Sequence, residues 1–145
     1  MPDAGDQSVP PVPPVPSHPA TPSGRAPRQV RSAGLVLTIR AAAGVDRIDV
    51  AGELSVETVA LLDAETVEVC RSTTDSELDL VLDLTGVTFL DVAGVAGLRR
   101  AYCRAVLLGA VRLGLPIASG PSRLMDLAVG QGWLPPAFRP GVPVV

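Results

Sequence analysis

The alternation of apolar and polar positions becomes regular near residue 34 and predicts four strands along the rest of the chain. Residues 35–39 are rich in β-branched and aliphatic side chains, and residues 47–50 alternate between polar and apolar positions. We expect these two strands to form a hairpin. Residues 78–84 are nearly continuous in apolar side chains, which is typical of a strand buried on both faces. A fourth strand is predicted over residues 111–117.

Three stretches with apolar side chains at helical spacing predict helices after the second, third and fourth strands. Ser55 is a suitable N-cap for the first helix, which we expect to end near Arg71. The second helix is predicted over residues 93–109 and the third over residues 121–129. The apolar stripes of the first two helices consist of Val59, Leu62, Val69 and Cys70, and of Val95, Leu98, Tyr102 and Ala105.

The predicted element order is β-β-α-β-α-β-α, and this order defines the fold class. Strand–helix–strand units form right-handed parallel crossovers, whereas the first two strands are expected to pair antiparallel. We therefore predict an α/β fold with a small mixed β-sheet and helices packed on one side. The domain is expected to span residues 34–134.

The two ends of the chain differ in composition from this domain. Nine of the 15 prolines lie in residues 1–33, and residues 9–16 (VPPVPPVP) are typical of a polyproline II helix. We expect residues 1–33 to be a disordered extension that is dispensable for folding, or else a ligand for a proline-binding domain. Residues 135–145 are expected to be a proline-containing tail.

The composition excludes several classes of chemistry. All 12 cationic residues are arginines, so a Schiff-base lysine and the lysine of a phosphate-binding loop are excluded. The one histidine, His18, lies in the proline-rich extension, and Cys70 and Cys103 have no partner at metal-ligand spacing. We therefore expect no metal and no cofactor, and we expect both cysteines to be small buried apolar residues.

Charge and hydropathy bear on partners and location. The net charge of −3 argues against direct binding to nucleic acid or to an anionic membrane. The sequence begins without a basic, apolar leader, and no apolar run approaches the about 18 residues of a membrane span; we expect a cytoplasmic protein without membrane insertion. Residues 46–91 carry 12 acids and two arginines, whereas residues 92–145 carry six arginines and one acid. This segregation favours docking on a charged partner, or else reflects two unrelated helix surfaces.

The junction between the third predicted strand and the second predicted helix is the place where chemistry could occur. The helix begins at the DVAG of residues 91–94, and a helix N-terminus offers free amide donors that can bind a phosphate. Asp-x-x-Gly also occurs in GTPases, but no Gly-x-x-x-x-Gly-Lys loop precedes it here. Asp83 and Asp91 are the only arguable acid/base pair, and their spacing matches no acid/base motif. Structural roles are the favoured interpretation of both aspartates.

Four stretches of the chain together resemble the STAS domain, the fold of bacterial anti-sigma factor antagonists. They are residues 48–54 (IDVAGEL), 80–91 (LVLDLTGVTFLD), 94–98 (GVAGL) and 120–127 (GPSRLMDL). Their order and spacing agree with that family over residues 34–134. The resemblance implies a STAS-like sheet and a non-enzymatic regulator of transcription, which binds an anti-sigma factor and thereby frees a sigma factor.

The anti-sigma factor that the resemblance implies is often a serine kinase of ATPase type. It inactivates the antagonist by phosphorylating the Ser or Thr that follows the Asp of an Asp-Ser-x-Gly motif at the start of the second helix. The resemblance assigns partner contacts to this loop and to the turn before the first helix. The contact residues implied here are Ser55, Thr88, Asp91, Val92, Ala93, Gly94 and Val95.

The sequence departs from the family pattern at three places. Val92 occupies the phosphoacceptor position and Ala93 follows it; neither side chain has a hydroxyl, so we expect no phosphorylation switch. Ser55 stands where the family often has Asp, and residues 135–140 are proline-rich where the family usually continues into another helix. Two other functions stay open: an accessory subunit of an ABC-type lipid-transport complex, and an enzyme that uses the two aspartates named above.

Overall fold

The computed structural model describes residues 26–73 and 77–139, which form a mixed α/β fold. Over these residues the element order is β-β-β-α-β-α-β-α, followed by one short 3₁₀ helix. The strands are β1 (Arg28–Ser32), β2 (Leu35–Ala42), β3 (Val45–Leu54), β4 (Leu78–Leu90) and β5 (Gly109–Gly114). The helices are α1 (Val59–Arg71), α2 (Val92–Val106) and α3 (Ser119–Gly130), and the 3₁₀ helix is Pro136–Phe138.

The strands form one sheet in the order β1-β2-β3-β4-β5. The pairs β1–β2 and β2–β3 are antiparallel, whereas β3–β4 and β4–β5 are parallel and are connected through α1 and α2. The predicted hairpin is confirmed as β2–β3, and its turn places Ala43 and Gly44 at positive φ values of 52° and 80°. The predicted mixed sheet is confirmed, with one additional strand at its start.

The boundary between α2 and β5 differs from the prediction because Gly109 belongs to the strand. A Cβ atom at Gly109 would lie 1.9 Å from the carbonyl oxygen of Leu78, so only glycine allows β5 to approach β4 so closely. α2 therefore ends at Val106 instead of residue 109, and β5 covers Gly109–Gly114 instead of residues 111–117.

One face of the sheet carries the core. Alternate residues of β2, β3 and β4 are buried there, and they form one apolar cluster with side chains of α1, α2 and α3. On the opposite face Arg47 forms ion pairs with Asp49 and Asp83, and Arg112 pairs with Asp79. The helices pack on one side, as predicted. The prediction that β4 is buried on both faces is wrong, because its two aspartates lie on the open face.

α1 and α2 are in direct contact at Gly97. A Cβ atom at this position would lie 2.0 Å from Cγ2 of Val59, so the absence of a side chain permits the close approach.

The predicted apolar stripes of α1 and α2 are largely buried and Cys70 lies in the core, but Cys103 is exposed. That cysteine falls outside the stripe of α2, which corrects its predicted burial. None of the helices within residues 26–73 and 77–139 is long and apolar enough to cross a membrane.

β1 lies within the stretch that the sequence analysis assigns to a disordered extension. It pairs with β2 along its whole length. Arg28 forms an ion pair with Glu65 of α1, whose side chain is only 12% exposed, and Val30 packs against the core. The start of the folded domain is therefore corrected from residue 34 to Arg28. The remainder of the predicted extension, residues 1–25, lies outside the described residues.

The C-terminal boundary is also corrected. Leu134 and Phe138 are buried in the core, although the sequence analysis places the second of them in a tail. The ring of Phe138 packs edge-on against Tyr102 of α2, with ring centroids 5.3 Å apart. The domain therefore extends through Phe138, and residues 140–145 lie outside the described residues.

We expect a chain that begins at Ala33 to be less stable than one that begins at Ala26. Removal of β1 leaves the Glu65 carboxylate without its guanidinium partner and uncovers the edge of β2. Loss of a charged hydrogen bond at a largely buried carboxylate costs about 1–3 kcal/mol, and each kcal/mol lowers the Tm of a domain of this size by ~4–8 °C. Thermal unfolding followed by circular dichroism measures the difference. Equal Tm values for the two chains would show that β1 does not stabilise the domain.

Candidate functional site

The carboxyl end of β4 is bent by two β-bulges. The register between β3 and β4 shifts after Asp49 and again after Gly52, and each shift leaves one extra residue in β4. The extra residue at the second bulge is Thr88, so Thr88 and Phe89 are both exposed instead of alternating between the two faces. The bulges thereby turn successive side chains of the strand end towards solvent, directly before α2 begins.

Asp91 joins the start of α2 to the end of β3. Its Oδ1 accepts a hydrogen bond from the backbone N–H of Gly94 at 2.8 Å, which makes it the N-cap of α2. Its Oδ2 accepts a hydrogen bond from the N–H of Val56 at 3.2 Å. Its own N–H donates to the carbonyl oxygen of Leu54 at 3.3 Å. One residue thus connects the loop after β3 with the first turn of α2.

The loop after β3 is organised by Thr58, a residue that sequence reasoning missed. The Thr58 hydroxyl is buried; it accepts a hydrogen bond from the N–H of Ser55 at 2.9 Å and donates to the carbonyl oxygen of Glu53 at 2.8 Å. The prediction that Ser55 caps α1 is wrong, because Thr58 occupies the N-cap position. The Ser55 Oγ instead accepts a hydrogen bond from the N–H of Glu57 at 3.3 Å, a local turn typical of serine.

Gly94 and Val95 lie beneath the surface of the predicted contact region. A Cβ atom at Gly94 would lie 2.3 Å from the carbonyl oxygen of Leu54, so glycine allows the first turn of α2 to rest on the end of β3. Val95 is a core residue with 3% of its surface exposed. These two residues position the surface, and they are not themselves available for contact with a partner.

Three large apolar side chains are exposed around this junction. Val56 follows β3, Phe89 lies at the second bulge of β4, and Val92 begins α2; their exposed fractions are 70%, 49% and 65%. The predicted contact stretch, residues 88–95, spans Phe89 without singling it out and does not include Val56, and the bulge that exposes Phe89 has no signature in a single sequence. We call Val56, Phe89 and Val92 the apolar loop surface. Large exposed apolar side chains on segments that meet at one residue, here Asp91, are a feature of protein-binding sites.

A shallow groove continues from Val92 along α2. It has a volume of about 600 Å³, and we call it the α2 groove; it is lined by Val92, Val95, Ala96, Arg99, Arg100, Cys103 and Trp133. Trp133 forms its far wall and is 45% exposed. A turn at the end of α3 positions this residue: Gly132 has a positive φ of 76°, and the N–H of Trp133 donates to the carbonyl oxygen of Ala128 at 2.8 Å. Nothing in the helical pattern of α2 indicated that a residue after α3 would reach it.

The two aspartates considered for catalysis are not brought into one site. Asp83 lies on the open face of the sheet, where it accepts hydrogen bonds from the N–H and hydroxyl of Thr85 at 2.9 and 2.7 Å and pairs with Arg47. Burial raises the pKa of the Asp83 carboxyl, but these hydrogen bonds and the arginine charge outweigh it and hold the pKa below its usual value. Asp83 is therefore ionised at neutral pH and is unsuited to be a general acid. Within residues 26–73 and 77–139 no three His, Cys, Asp or Glu side chains are grouped to hold a metal ion.

The predicted contact residues thus fall into two groups. Ser55, Asp91 and Val92 meet at one junction, with Thr88 exposed on the strand beside it and Ala93 half-buried in the first turn of α2. Gly94 and Val95, beneath them, are buried. A scan of the chain against protein-family models finds no match, and a search among curated proteins finds none. The function is therefore inferred from this surface and from the sequence motifs.

We expect Asp91→Ala to destabilise the domain and Asp91→Asn to have a much smaller effect. The alanine removes the N-cap of α2 and leaves the N–H of Val56 without its acceptor; loss of a cap alone costs about 0.5–2 kcal/mol. Asparagine keeps one oxygen and is an equally good N-cap, but its NH2 group cannot accept a hydrogen bond from Val56, so it loses only the second of the two bonds. Urea unfolding of the three chains measures the free energies. A free energy of unfolding that is unchanged in Asp91→Ala would contradict the bridging role of Asp91.

Proposed function

We propose that this chain is a non-enzymatic, protein-binding regulator of transcription that resembles the anti-sigma factor antagonists of the STAS family. In this proposal it sequesters an anti-sigma factor in the bacterial cytoplasm. The observation that carries the proposal is the apolar loop surface, which is exposed on a backbone fixed by Asp91. A surface with that construction suits docking better than chemistry, because its exposed side chains bring neither a nucleophile nor a proton donor.

The fold supports the same proposal. The strand–helix junction to which the resemblance assigns the partner contacts lies beside the loop after β3, which is the second region of implied contact. The two regions come from distant parts of the chain and share one hydrogen-bond network. A partner can therefore contact both of them at once, which favours a composite docking surface.

The chemistry of Val92 bears on regulation. In the family that the chain resembles, the corresponding residue carries a hydroxyl that a kinase phosphorylates, and Val92 has none. The nearby hydroxyls are on Ser55, Thr58, Thr85 and Thr88; that of Thr58 is buried, and that of Thr85 already donates to the carboxylate of Asp83. We propose that binding is constitutive and is set by the amount of protein, because phosphoryl transfer requires an oxygen nucleophile aligned with the γ-phosphate.

We expect Val92→Glu to weaken binding of the partner by at least about tenfold, or ~1.4 kcal/mol. The added carboxylate would have to be desolvated in an apolar contact. The partner is first captured from the native host, identified by mass spectrometry, purified and then titrated calorimetrically. Val106→Glu is the matched control, because Val106 is an exposed valine at the other end of the same helix.

The titration has three informative outcomes. Loss of affinity in Val92→Glu alone, with an anti-sigma factor as partner, supports the proposal. If both variants and the unaltered chain bind the partner with equal affinity, the apolar loop surface is not the docking site. If the captured partner is instead a subunit of an ABC-type transporter, the proposal is wrong and the chain is an accessory subunit of a lipid-transport complex.

We expect no phosphorylation of the unaltered chain by a captured anti-sigma kinase, whereas Val92→Ser should gain one phosphate. The serine would lie at the N-terminus of α2, where the helix dipole favours added negative charge. Incubation with the kinase and ATP, followed by intact-mass analysis, measures both chains. A phosphate on the unaltered chain that maps to Ser55, Thr85 or Thr88 would overturn constitutive binding.

A further inference from the structure

In the part of the chain that the structure describes, the α2 groove has an uncovered apolar floor with a cationic edge. Val92, Ala96 and Cys103 lie along one line of α2, and the indole of Trp133 faces them from the end of α3. Arg99 stands at the edge, and within residues 26–73 and 77–139 it makes no ion pair. No acid occurs in α2. The groove therefore suits a ligand that is apolar, slender and associated with negative charge.

The proline-rich stretch of the same chain has a matching pattern. Val9, Val12 and Val15 recur at every third position, with prolines between them. A polyproline II helix has three residues per turn and rises about 3.1 Å per residue, so these valines would share one edge over about 19 Å. The line from Val92 to Cys103 in α2 spans about 16 Å at 1.5 Å per residue. The two lengths correspond closely.

We propose that residues 9–16 of this chain dock in the α2 groove, with the valine edge on the floor and prolines against Trp133. Proline-rich segments in this conformation bind grooves lined by aromatic side chains, because the segment loses little conformational entropy on binding. The charges are complementary: Asp3 and Asp6 precede the valines, and the sequence has no arginine before Arg25. The proposal concerns contacts within the chain, so it stands independently of the proposed function.

The chain between Pro16 and Ala26 is long enough for residues 9–16 to reach the α2 groove. Nine residues separate Pro16 from Ala26, and the ten peptide steps reach about 33–36 Å when fully extended. β1 and β4 lie three strand spacings apart, which is about 14 Å along the sheet, and α2 packs over β4 and β5. A connection of this length gives an effective concentration on the order of millimolar. A segment that binds with a Kd of about 1 mM would therefore occupy the groove roughly half of the time.

Docking of this segment would cover Val92, the exposed valine at the start of α2. The extension would then compete with any partner that binds the apolar loop surface. Its occupancy would set the fraction of chains that is open for binding, since a chain with a covered site binds in proportion to its open fraction.

The test uses the full chain and two reporters within the α2 groove. Trp133 is the one tryptophan of the sequence, and Cys103 is exposed whereas Cys70 is buried. The ridge variant combines Val9→Ser, Val12→Ser and Val15→Ser, which remove the apolar edge and retain every proline. The control combines Ala4→Ser, Ala20→Ser and Thr21→Ser, which place three serines outside the edge. The measurements are acrylamide quenching of Trp133 and the rate at which Cys103 reacts with a thiol reagent.

We expect the Cys103 rate and the quenching of Trp133 to rise by about two- to tenfold in the ridge variant, which corresponds to a groove that is about half to nine-tenths occupied in the unaltered chain. The control should match the unaltered chain. A synthetic peptide of residues 1–17, added to the ridge variant, should restore protection of both reporters. Equal reactivity in all three chains, or no protection by the peptide, would overturn the proposal. Protection that grows with protein concentration would indicate docking between two copies and would overturn docking within one chain.

Discussion

The carboxylate of Asp91 is the constraint on which the candidate surface depends. Its two oxygens accept hydrogen bonds from Gly94 in α2 and from Val56 in the loop after β3. The first bond satisfies an amide that a helix N-terminus leaves free, and the second satisfies the N–H of Val56 in the loop that Thr58 also organises. Together with the backbone hydrogen bond from Asp91 to Leu54, the carboxylate holds the two segments that carry the exposed valines at positions 56 and 92 next to each other.

The elements with a regular apolar pattern could be predicted from the sequence, and the exceptions have physical causes. The parallel β3–β4–β5 unit and the three helices follow from periodicity, because their buried faces repeat at the spacing of a strand or a helix. β1 could not be recognised in this way. Four of its five positions are exposed, and its ion pair joins Arg28 to Glu65, which lies far away in the sequence.

The candidate site was predictable only in part, because much of it depends on tertiary geometry. Asp91 has a local signature as a helix cap, and it lies where that signature places it. Thr58 and Trp133 have none: the first acts through a buried hydroxyl, and the second reaches α2 from the end of another helix. The exposure of Phe89 follows from a bulge whose position is set by the register between two strands. The position of this bulge can be known only after the two strands have been paired.

The contact at Gly97 has a consequence for the entropy of binding. Because the backbone of α2 rests directly against Val59, α1 and α2 cannot shift past each other without a steric clash. The loop between β3 and α1 is therefore held at one end by the sheet and at the other by this helix pair. A partner that binds there orders little that is not already ordered, so less of its binding free energy is lost to immobilising the loop. Recognition then depends on the fit of a preformed shape.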